Sequence, residues 1–509
     1  MKQISTLDYL KMNGWQKFLY NLKCFFCAIP KHLLNLVIKI GNFFKRLGLG
    51  IWANLKDLWL TFKNGKWQTK LSFLIMGFGS IWYGQPLRGV LFMLFEIVFV
   101  LYMGMAGVHW LSKFDNLGDA PGYKVDTDWG EGWVDGDDSF KILMYGLLTI
   151  IFIIALVYTW RLQIKQCRIN EEIMASGKKV KSGKEDLKSL LDDQYHKTLL
   201  ALPVVGIAVF TVFPIIFMIL VAFTNYDASH DGHGVLFTWQ GFKNFGDIIN
   251  FSNGESVVSM AFGEILVWTL IWAFFATFTN YFLGMFVAMM INKKGIQFKK
   301  GFRTILVMTI AIPQFISLLY VSNMFSETGF ISQTLQDWGW IQGNLHLFDD
   351  KANPNLTRAW IIIINIWIGI PYLMLIATGI LMNIPADLYE SAKIDGANGV
   401  QQFGKITLPY MLFVTGPYLL TSFTGNLNNF NVIYLLTGGT PTNTELSGAS
   451  GSVGYTDILI TWLFKITQGT DSKYYLASVV GIMIFIVVSV LSLIVYNVMP
   501  SNRNEGDFS

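Results

Sequence analysis

Residues 383–409 read Asn383-Ile-Pro-Ala-Asp-Leu-Tyr-Glu-Ser-Ala-Lys-Ile-Asp-Gly-Ala-Asn-Gly-Val-Gln-Gln-Phe-Gly-Lys-Ile-Thr-Leu-Pro409 and lie between two long apolar runs. Pro385 suits an early helical position, because the first helical turn leaves its N–H groups unpaired. Asp395 and Gly396 are predicted to end this helix, and a second short helix is predicted to end at Pro409. The segment is therefore predicted to form a compact helix-turn-helix shaped to fit a groove on another protein.

Apolar runs along the 509-residue chain determine the fold class. Hydrophobic residues make up 53% of the sequence and charged residues only 14%, against about a quarter charged in soluble domains. This composition excludes a disordered chain, a coiled coil and almost any ordinary soluble enzyme. A helix needs about 20 apolar residues to cross a bilayer, so the chain is predicted to be an all-α polytopic membrane protein. About eight transmembrane helices are predicted, at 88–110, 140–160, 199–223, 264–291, 303–324, 359–382, 409–436 and 475–499.

The distribution of Lys and Arg predicts the orientation, because basic loops are retained on the cytoplasmic side. Residues 1–70 carry a net charge of +10, whereas residues 111–138 carry −6. Residues 161–197 are net basic and 292–303 contain five bases and no acid, so both are predicted to be internal. The alternation places both termini on the cytoplasmic side of the membrane.

Four regions are predicted: a basic N-terminal region at 1–70, an N-terminal transmembrane region at 71–197, a core transmembrane region at 198–500 that contains the loop 383–409, and a cytoplasmic tail at 501–509. The apolar piece 71–83 is too short to span and is predicted to be interfacial or re-entrant. In the first region, apolar residues recur at helical spacing beside lysines, which predicts an amphipathic helix on the anionic inner leaflet, in contact with membrane lipid. A poorly ordered basic tail is the alternative. The apolar residues are Trp15, Phe18, Leu19, Leu22, Phe25 and Phe26.

Motifs for chemistry are missing from the sequence. No G-x-x-x-x-G-K-[ST] loop occurs, so this chain cannot bind ATP in that manner, and no catalytic residue is predicted. Cys24 and Cys27 form a lone C-x-x-C, and His230 and His233 are two external ligands without a third. No metal site, no cofactor in this chain and no nucleic-acid partner are therefore predicted.

Polar residues inside two late spans predict a solute path, since polar groups in a membrane usually face a bundle interior or a water-filled cavity. Each set is spaced i, i+4, i+7, which places it on one helical face. The alternative is that such residues only hydrogen-bond neighbouring helices to each other. Two matched stripes without a fixed charge favour a path for a neutral, hydroxyl-rich solute. The stripes are Asn365, Gly369 and Tyr372 in the sixth span and Ser422, Asn426 and Asn429 in the seventh.

The loop 383–409 resembles the signature of ABC importer permeases, E-A-A-x3-G-x9-I-x-L-P. Here it stands as Glu390, Ser391, Ala392, Gly396, Ile406, Leu408 and Pro409, with Ser391 replacing the first Ala. Segments such as 365–372 and 422–430 are similar to the maltose and maltodextrin (MalF-like) permease subunits. The resemblance covers roughly residues 199–500 and implies the type I ABC importer permease fold.

The resemblance also implies partners, roles and a location in the cytoplasmic membrane of a bacterial cell. Members of the family share the solute path with a second permease subunit, two ATP-binding subunits hold ATP and Mg and hydrolyse ATP, and an extracellular sugar-binding protein delivers the oligosaccharide. It implies sugar contacts for the six stripe residues, and ATPase coupling through Glu390, Ser391, Ala392, Asp395, Gly396, Ile406, Leu408 and Pro409. Gly425 stands where some relatives carry an aromatic stacking residue.

Two functions of different class remain open at this stage. One is a permease subunit of a binding-protein-dependent ABC importer for maltodextrin or a related neutral oligosaccharide. The other is a self-sufficient secondary transporter or channel for a neutral solute; a membrane enzyme is a distant third. The loop 383–409 fits only the first function. Glu96 and Glu264 are the acidic residues nearest the membrane interior, and we interpret them as interface or span-end groups because no basic partner is visible in the sequence. The lack of a paired acid and base within the spans disfavours ion coupling.

The charge pattern yields a test of topology. A single cysteine introduced at Gly122, within the acidic loop 111–138, should react with an impermeant thiol reagent applied from outside once the native cysteines are replaced. The reason is that the acidic loop is expected to be external. Labelling of intact cells measures this, and a reaction seen only after permeabilisation would contradict the orientation.

Overall fold

The structure, a computed structural model, describes residues 14–498 except 128–129, 135, 193, 232–234, 250–256, 294, 449–450 and 469–470. The chain forms two compact units, Met1–Gly241 and Phe242–Ser509. Throughout the described ranges the architecture is helical, apart from one two-stranded antiparallel hairpin and isolated bridges.

The described residues of the first unit form seven α-helical segments, the hairpin and a short 3-10 helix at Ala228–His230. The hairpin strands β1 (Tyr123–Thr127) and β2 (Gly130–Val134) pair with Tyr123 opposite Val134. The helices are α1 (Gly14–Asn64), α2 (Trp67–Leu71), α3 (Phe78–Trp82), α4 (Pro86–Ser112), α5 (Ser139–Ala175), α6 (Gly183–Leu191) and α7 (Tyr195–Val221).

The long helix α1 is tied to α5 by a shared carboxylate. Asp57 accepts hydrogen bonds from Arg161 at 2.9 Å and from Arg168 at 2.5 Å. The bond from Arg161 is the largest effect and holds the pKa of Asp57 below its ordinary value. The helix is longer than the amphipathic segment predicted from sequence, and the side chains of that segment (15–31) lie outside the described residues.

Residues 71–83 do not form a helix long enough to span, as predicted. The two five-residue helices α2 and α3 occupy its ends. Gly77 precedes α3 at φ +84°, and a Cβ there would lie 2.0 Å from the carbonyl oxygen of Gly89. Glycine at this position therefore allows the backbone to approach the start of α4 closely.

The second unit is built around one central helix, α9 (Val257–Asn292). Two clusters of buried side chains follow each other along this helix, the first around Trp272, Leu318 and Ile361 and the second around Met285 and Met374. The helices are α8 (Lys243–Ile249), α9 (Val257–Asn292), α10 (Lys299–Ala311), α11 (Gln314–Met324), α12 (Phe330–Asp337), α13 (Pro354–Leu381), α14 (Ala386–Ile394), α15 (Gly399–Leu427), α16 (Phe430–Leu436), α17 (Leu459–Ile466) and α18 (Tyr474–Val498).

Seven described helices are long and apolar enough to cross a membrane, and one bent pair brings the number to eight. The bent pair corrects the prediction of a continuous fifth span over 303–324, because α10 and α11 meet at 89°. Pro313 lacks an N–H and forces the preceding residue out of the helical region. Ile312 accordingly has φ −83° and ψ 122°.

The seventh predicted span, 409–436, is also different. The helix predicted to end at Pro409 instead continues as α15 from Gly399 to Leu427. A π-helical turn at Phe403–Thr407 precedes Pro409, and the N–H of Leu408 bonds to the carbonyl of Phe403. This wider turn places the proline where the helix can continue. The C-terminal part of the predicted span is a separate helix, α16.

The segment between α16 and α18 contains a buried ion pair. Asp457 is fully buried and accepts hydrogen bonds from the Gly454 N–H at 2.8 Å, the Thr461 hydroxyl at 2.9 Å and the Lys465 ammonium at 2.6 Å. Burial raises the pKa of Asp457, and the positive charge of Lys465 opposes that rise. The charge of this carboxylate therefore depends on Lys465.

Removing the Lys465 cation should make the free energy of unfolding depend more strongly on pH. In Lys465→Met the pKa of Asp457 rises further, so the native state keeps a proton that the unfolded chain has lost. The free energy of unfolding then falls as the pH rises between the two pKa values. Breaking a buried pair costs about 3–5 kcal/mol, and we expect the apparent Tm in detergent to fall more at pH 8 than at pH 5.

The double variant Asp457→Asn/Lys465→Met is the matched control, since it lacks both charges. Its Tm deficit relative to the unmodified protein should not be larger at pH 8 than at pH 5. An equal deficit for Lys465→Met at pH 5 and pH 8 would contradict the role assigned to the pair.

Candidate functional site

The first predicted stripe lies on α13 as expected. Asn365 is buried, with 5% of its surface exposed, whereas Tyr372 is half-exposed at 49%. Gly369 lies between them, and a Cβ there would come 2.6 Å from the side-chain nitrogen of Asn280 on α9. Glycine at this position thus lets an amide from the central helix reach α13.

The second stripe is divided between two helices, which corrects its prediction as one helical face. Ser422 and Asn426 lie in α15, but Asn429 lies beyond its end and caps α16 by accepting from the Val432 N–H at 3.5 Å. Asparagine favours such local capping over helix continuation. Asn429 nevertheless donates to the Asn426 side-chain oxygen at 3.2 Å, so the two amides remain together.

The central helix α9 supplies polar partners that the sequence analysis missed. The Asn426 side-chain amide donates to the Thr277 hydroxyl at 2.9 Å, and the Trp272 indole donates to the Asn426 carbonyl at 3.0 Å. Asn280 donates to the carbonyl of Asn365 at 3.4 Å. The signal was present in the sequence, as Thr277 and Asn280 are polar residues within the predicted span 264–291.

Two amide atoms in this cluster are buried and unpaired in the described structure. They are the side-chain oxygen of Asn280 and the side-chain nitrogen of Asn365. An unsatisfied buried polar group costs about 1–3 kcal/mol. One atom is an acceptor and the other a donor, so the cluster retains hydrogen-bonding capacity of both kinds between α9 and α13.

Aromatic rings differ in their availability near the stripes. The Tyr372 ring lies 6.4 Å from that of Tyr418 and is half-exposed. Phe430, in contrast, stacks on Tyr434 at 4.7 Å and contacts Phe464 edge-on at 5.1 Å. A Cβ on Gly425 would meet no atom within 4 Å, so the space next to the second stripe is open.

Glu264 has a basic partner, contrary to the sequence analysis. The Arg358 guanidinium lies 3.9 Å from its carboxylate, donates to the Tyr455 carbonyl at 2.8 Å and covers the Trp268 ring at 4.7 Å. Arg358 belongs to the first turns of α13 and Glu264 to the N-terminal third of α9. The pair therefore lies near helix ends rather than at mid-span.

The loop 383–409 forms the predicted helix and turn. After α14, Gly396 adopts φ +77°, a conformation that favours glycine. The hydroxyls of Tyr389 and Thr407 lie 2.8 Å apart and tie α14 to the start of α15. The two helices are thereby held in a fixed arrangement.

Exposure divides the predicted coupling residues into two groups. Glu390, Ser391, Asp395, Gly396 and Pro409 are exposed, while Ala392, Ile406 and Leu408 are half-buried. The loop also exposes large apolar side chains that were not predicted, Ile394 at 87% and Val400 at 80%. Exposed apolar residues beside charged ones are typical of a protein-docking surface.

Comparison with known proteins identifies the family. Residues 280–503 match the binding-protein-dependent transport system inner membrane component family. The chain is 34% identical over 430 residues to the maltodextrin transport system permease protein MalC of Streptococcus pneumoniae, covering 83% of this chain and 93% of the relative. It is 30% identical over 435 residues to the galactooligosaccharides transport system permease protein GanP of Bacillus subtilis, covering 85% and 97%.

A solved structure of a bacterial ABC transporter that imports the acidic polysaccharide alginate aligns with 63% of this chain and 99% of its own, at 21% identity and a TM-score of 0.49. Both relatives above align with this chain over nearly their whole length. The chain therefore belongs to the binding-protein-dependent inner membrane components, as a multi-pass permease of the carbohydrate ABC importer family.

Proposed function

We propose that this permease subunit forms part of the path for maltodextrin or a related neutral oligosaccharide. A second permease subunit completes the path, two ATP-binding subunits hold ATP and Mg, and an extracellular sugar-binding protein delivers the solute. Both termini lie in the cytoplasm. The observation that carries the proposal is that the central helix α9 contacts both uncharged stripes, Asn365 through Asn280 and Asn426 through Thr277.

The chemistry of the cluster suits a sugar. Each amide side chain offers donors and an acceptor, which match hydroxyl groups that both donate and accept. The six stripe residues carry no charge, so an anionic solute would find no counter-charge among them. The relatives named for maltodextrin and for galactooligosaccharides support the same chemical class of solute.

The unpaired amide atoms of Asn280 and Asn365 support a solute path rather than a role only in joining helices. Residues that only join helices would be expected to satisfy their own hydrogen bonds, because unpaired buried groups are costly. Asn280 and Asn365 each keep one unpaired atom. A role in solute passage gives a reason for tolerating this cost.

The exposed loop supports coupling to a separate ATPase over the alternative of a self-sufficient transporter. Ile394 and Val400 are the most exposed of the large apolar side chains between 383 and 409. Exposing them to the cytoplasm is unfavourable unless another protein covers them. An ATP-binding subunit docked on this loop would bury them next to Glu390.

Gly396 yields a test of coupling. Gly396→Val places a β-branched residue at φ +77°, which costs about 1–3 kcal/mol and should distort the turn. We expect normal membrane insertion but weaker copurification of the ATP-binding subunit. The matched control is Gly399→Val in the same loop, where a Cβ meets no neighbour within 4 Å. Normal transport and normal copurification in Gly396→Val would defeat the proposal.

The stripe residues yield a test of the sugar path. Losing one neutral hydrogen bond costs about 0.5–1.5 kcal/mol, so Asn365→Ala or Asn426→Ala should reduce maltodextrin uptake several-fold. Tyr372→Ala should reduce it more, since both a hydroxyl and a ring face are lost. Uptake is measured with radiolabelled sugar. ATP hydrolysis stimulated by the loaded binding protein should be less affected than uptake.

Asn323→Ala is the matched control, because this exposed asparagine donates to the Leu319 carbonyl of its own helix. It should leave uptake unchanged. Should the triple substitution of Asn365, Tyr372 and Asn426 fold normally and transport at the unmodified rate, the stripes only join helices and the proposed path is wrong.

A further inference from the structure

A cluster of three side chains that could bind a metal lies in the segment between α11 and α13. The His346 Nδ1 atom lies 2.8 Å from Oδ2 of Asp349 and 3.1 Å from Oε1 of Glu327. One ligand atom from each residue lies within 4.8 Å of the other two. We propose that Glu327, His346 and Asp349 bind a divalent transition-metal ion of the Zn²⁺ type.

The spacing of these atoms suits a metal ion. Zinc binds imidazole nitrogen and carboxylate oxygen at about 2.0–2.2 Å in tetrahedral geometry, so two ligand atoms on one ion lie about 3.3–3.6 Å apart. The distances of 2.8 and 3.1 Å from Nδ1 are a few tenths of an ångström below this range. Small side-chain rotations would allow all three atoms to contact one ion.

The ligand set favours a transition metal over a harder cation. An imidazole nitrogen suits Zn²⁺ and its first-row neighbours, whereas Ca²⁺ and Mg²⁺ prefer ligands that are all oxygen. Two carboxylates also match the double charge of the ion. The three side chains are 30–40% exposed, which leaves one side of the ion open to water ligands.

The backbone that carries His346 and Asp349 is already fixed. Asp349 directs its second oxygen to the Lys351 N–H at 2.9 Å, which orients the carboxylate. Ligands held in place bind a metal without a large ordering cost. Hydrogen bonds to neighbouring elements hold the same loop: Ser332 accepts from the Leu345 N–H at 3.1 Å, Thr357 donates to the Leu347 carbonyl at 2.8 Å and Thr440 donates to the Phe348 carbonyl at 2.8 Å.

The two carboxylates of the cluster could be neutralised by a bound cation. Lys351 is the nearest competing cation given by the described contacts, but its Nζ is 4.0 Å from Glu327 and its side chain is 74% exposed. Two carboxylate oxygens converge on the single Nδ1 atom of His346, which can carry only one proton. An ion at this point would satisfy both carboxylates and would join the turn after α11 to the loop before α13.

Metal binding to the full-length purified chain tests the proposal. After tag removal, EDTA treatment and dialysis, the chain is incubated with Zn²⁺, separated by gel filtration and analysed by elemental mass spectrometry. We expect about one Zn²⁺ per chain and a rise in apparent Tm on adding Zn²⁺. His346→Gln should abolish both, whereas His230→Gln, whose imidazole pairs with one carboxylate, Asp227 at 2.8 Å, should retain both.

Glu327→Gln keeps the shape of its side chain and serves if His346→Gln does not fold; it should weaken Zn²⁺ binding at least tenfold. X-ray absorption of the zinc-loaded chain should show nitrogen and oxygen ligands. Sulfur ligands, preferential binding of Ca²⁺, or unchanged Zn²⁺ binding in the folded His346 or Glu327 variant would overturn the assignment. None of these outcomes depends on the sugar proposed above.

Discussion

A peptide N–H or C=O group in the hydrocarbon core of a membrane finds no water, so the chain must satisfy it internally. This constraint makes each predicted span helical and determines where helices can break. The break at Pro313 is placed where the donor is already missing, and the two helices meet there at 89°. At Pro409 the chain uses a π-helical turn instead, and the helix continues.

The same constraint makes the polar residues of α9 informative. Thr277 and Asn280 face the two helices that carry the stripes, and each contacts a different stripe, through Asn426 and Asn365 respectively. The central helix thus contacts both stripes as well as both hydrophobic clusters. The two unpaired amide atoms are the part of this arrangement that packing alone does not account for.

The sequence predicted the number of spans and the helix-turn of the loop, because both depend on local features: runs of apolar residues, a proline and a glycine. The break at Pro313 and the separate helix α16 were missed, although proline and asparagine were visible there. Contacts between spans could not be predicted in this way. The Asn426–Thr277 bond does not follow from spacing, because it depends on which helices pack together.

One continuous helix connects the two functional surfaces of the proposal. The helix α15 begins at Gly399 in the exposed loop and ends at Leu427, next to Asn426. With 29 residues, it spans about 40 Å at 1.5 Å per residue. On the proposed function, a displacement of the loop by an ATP-binding subunit would therefore reach the sugar stripe through one rigid element. Its π-helical turn at Phe403–Thr407 is the irregular part of its backbone, and Ile406 of the family signature lies within that turn.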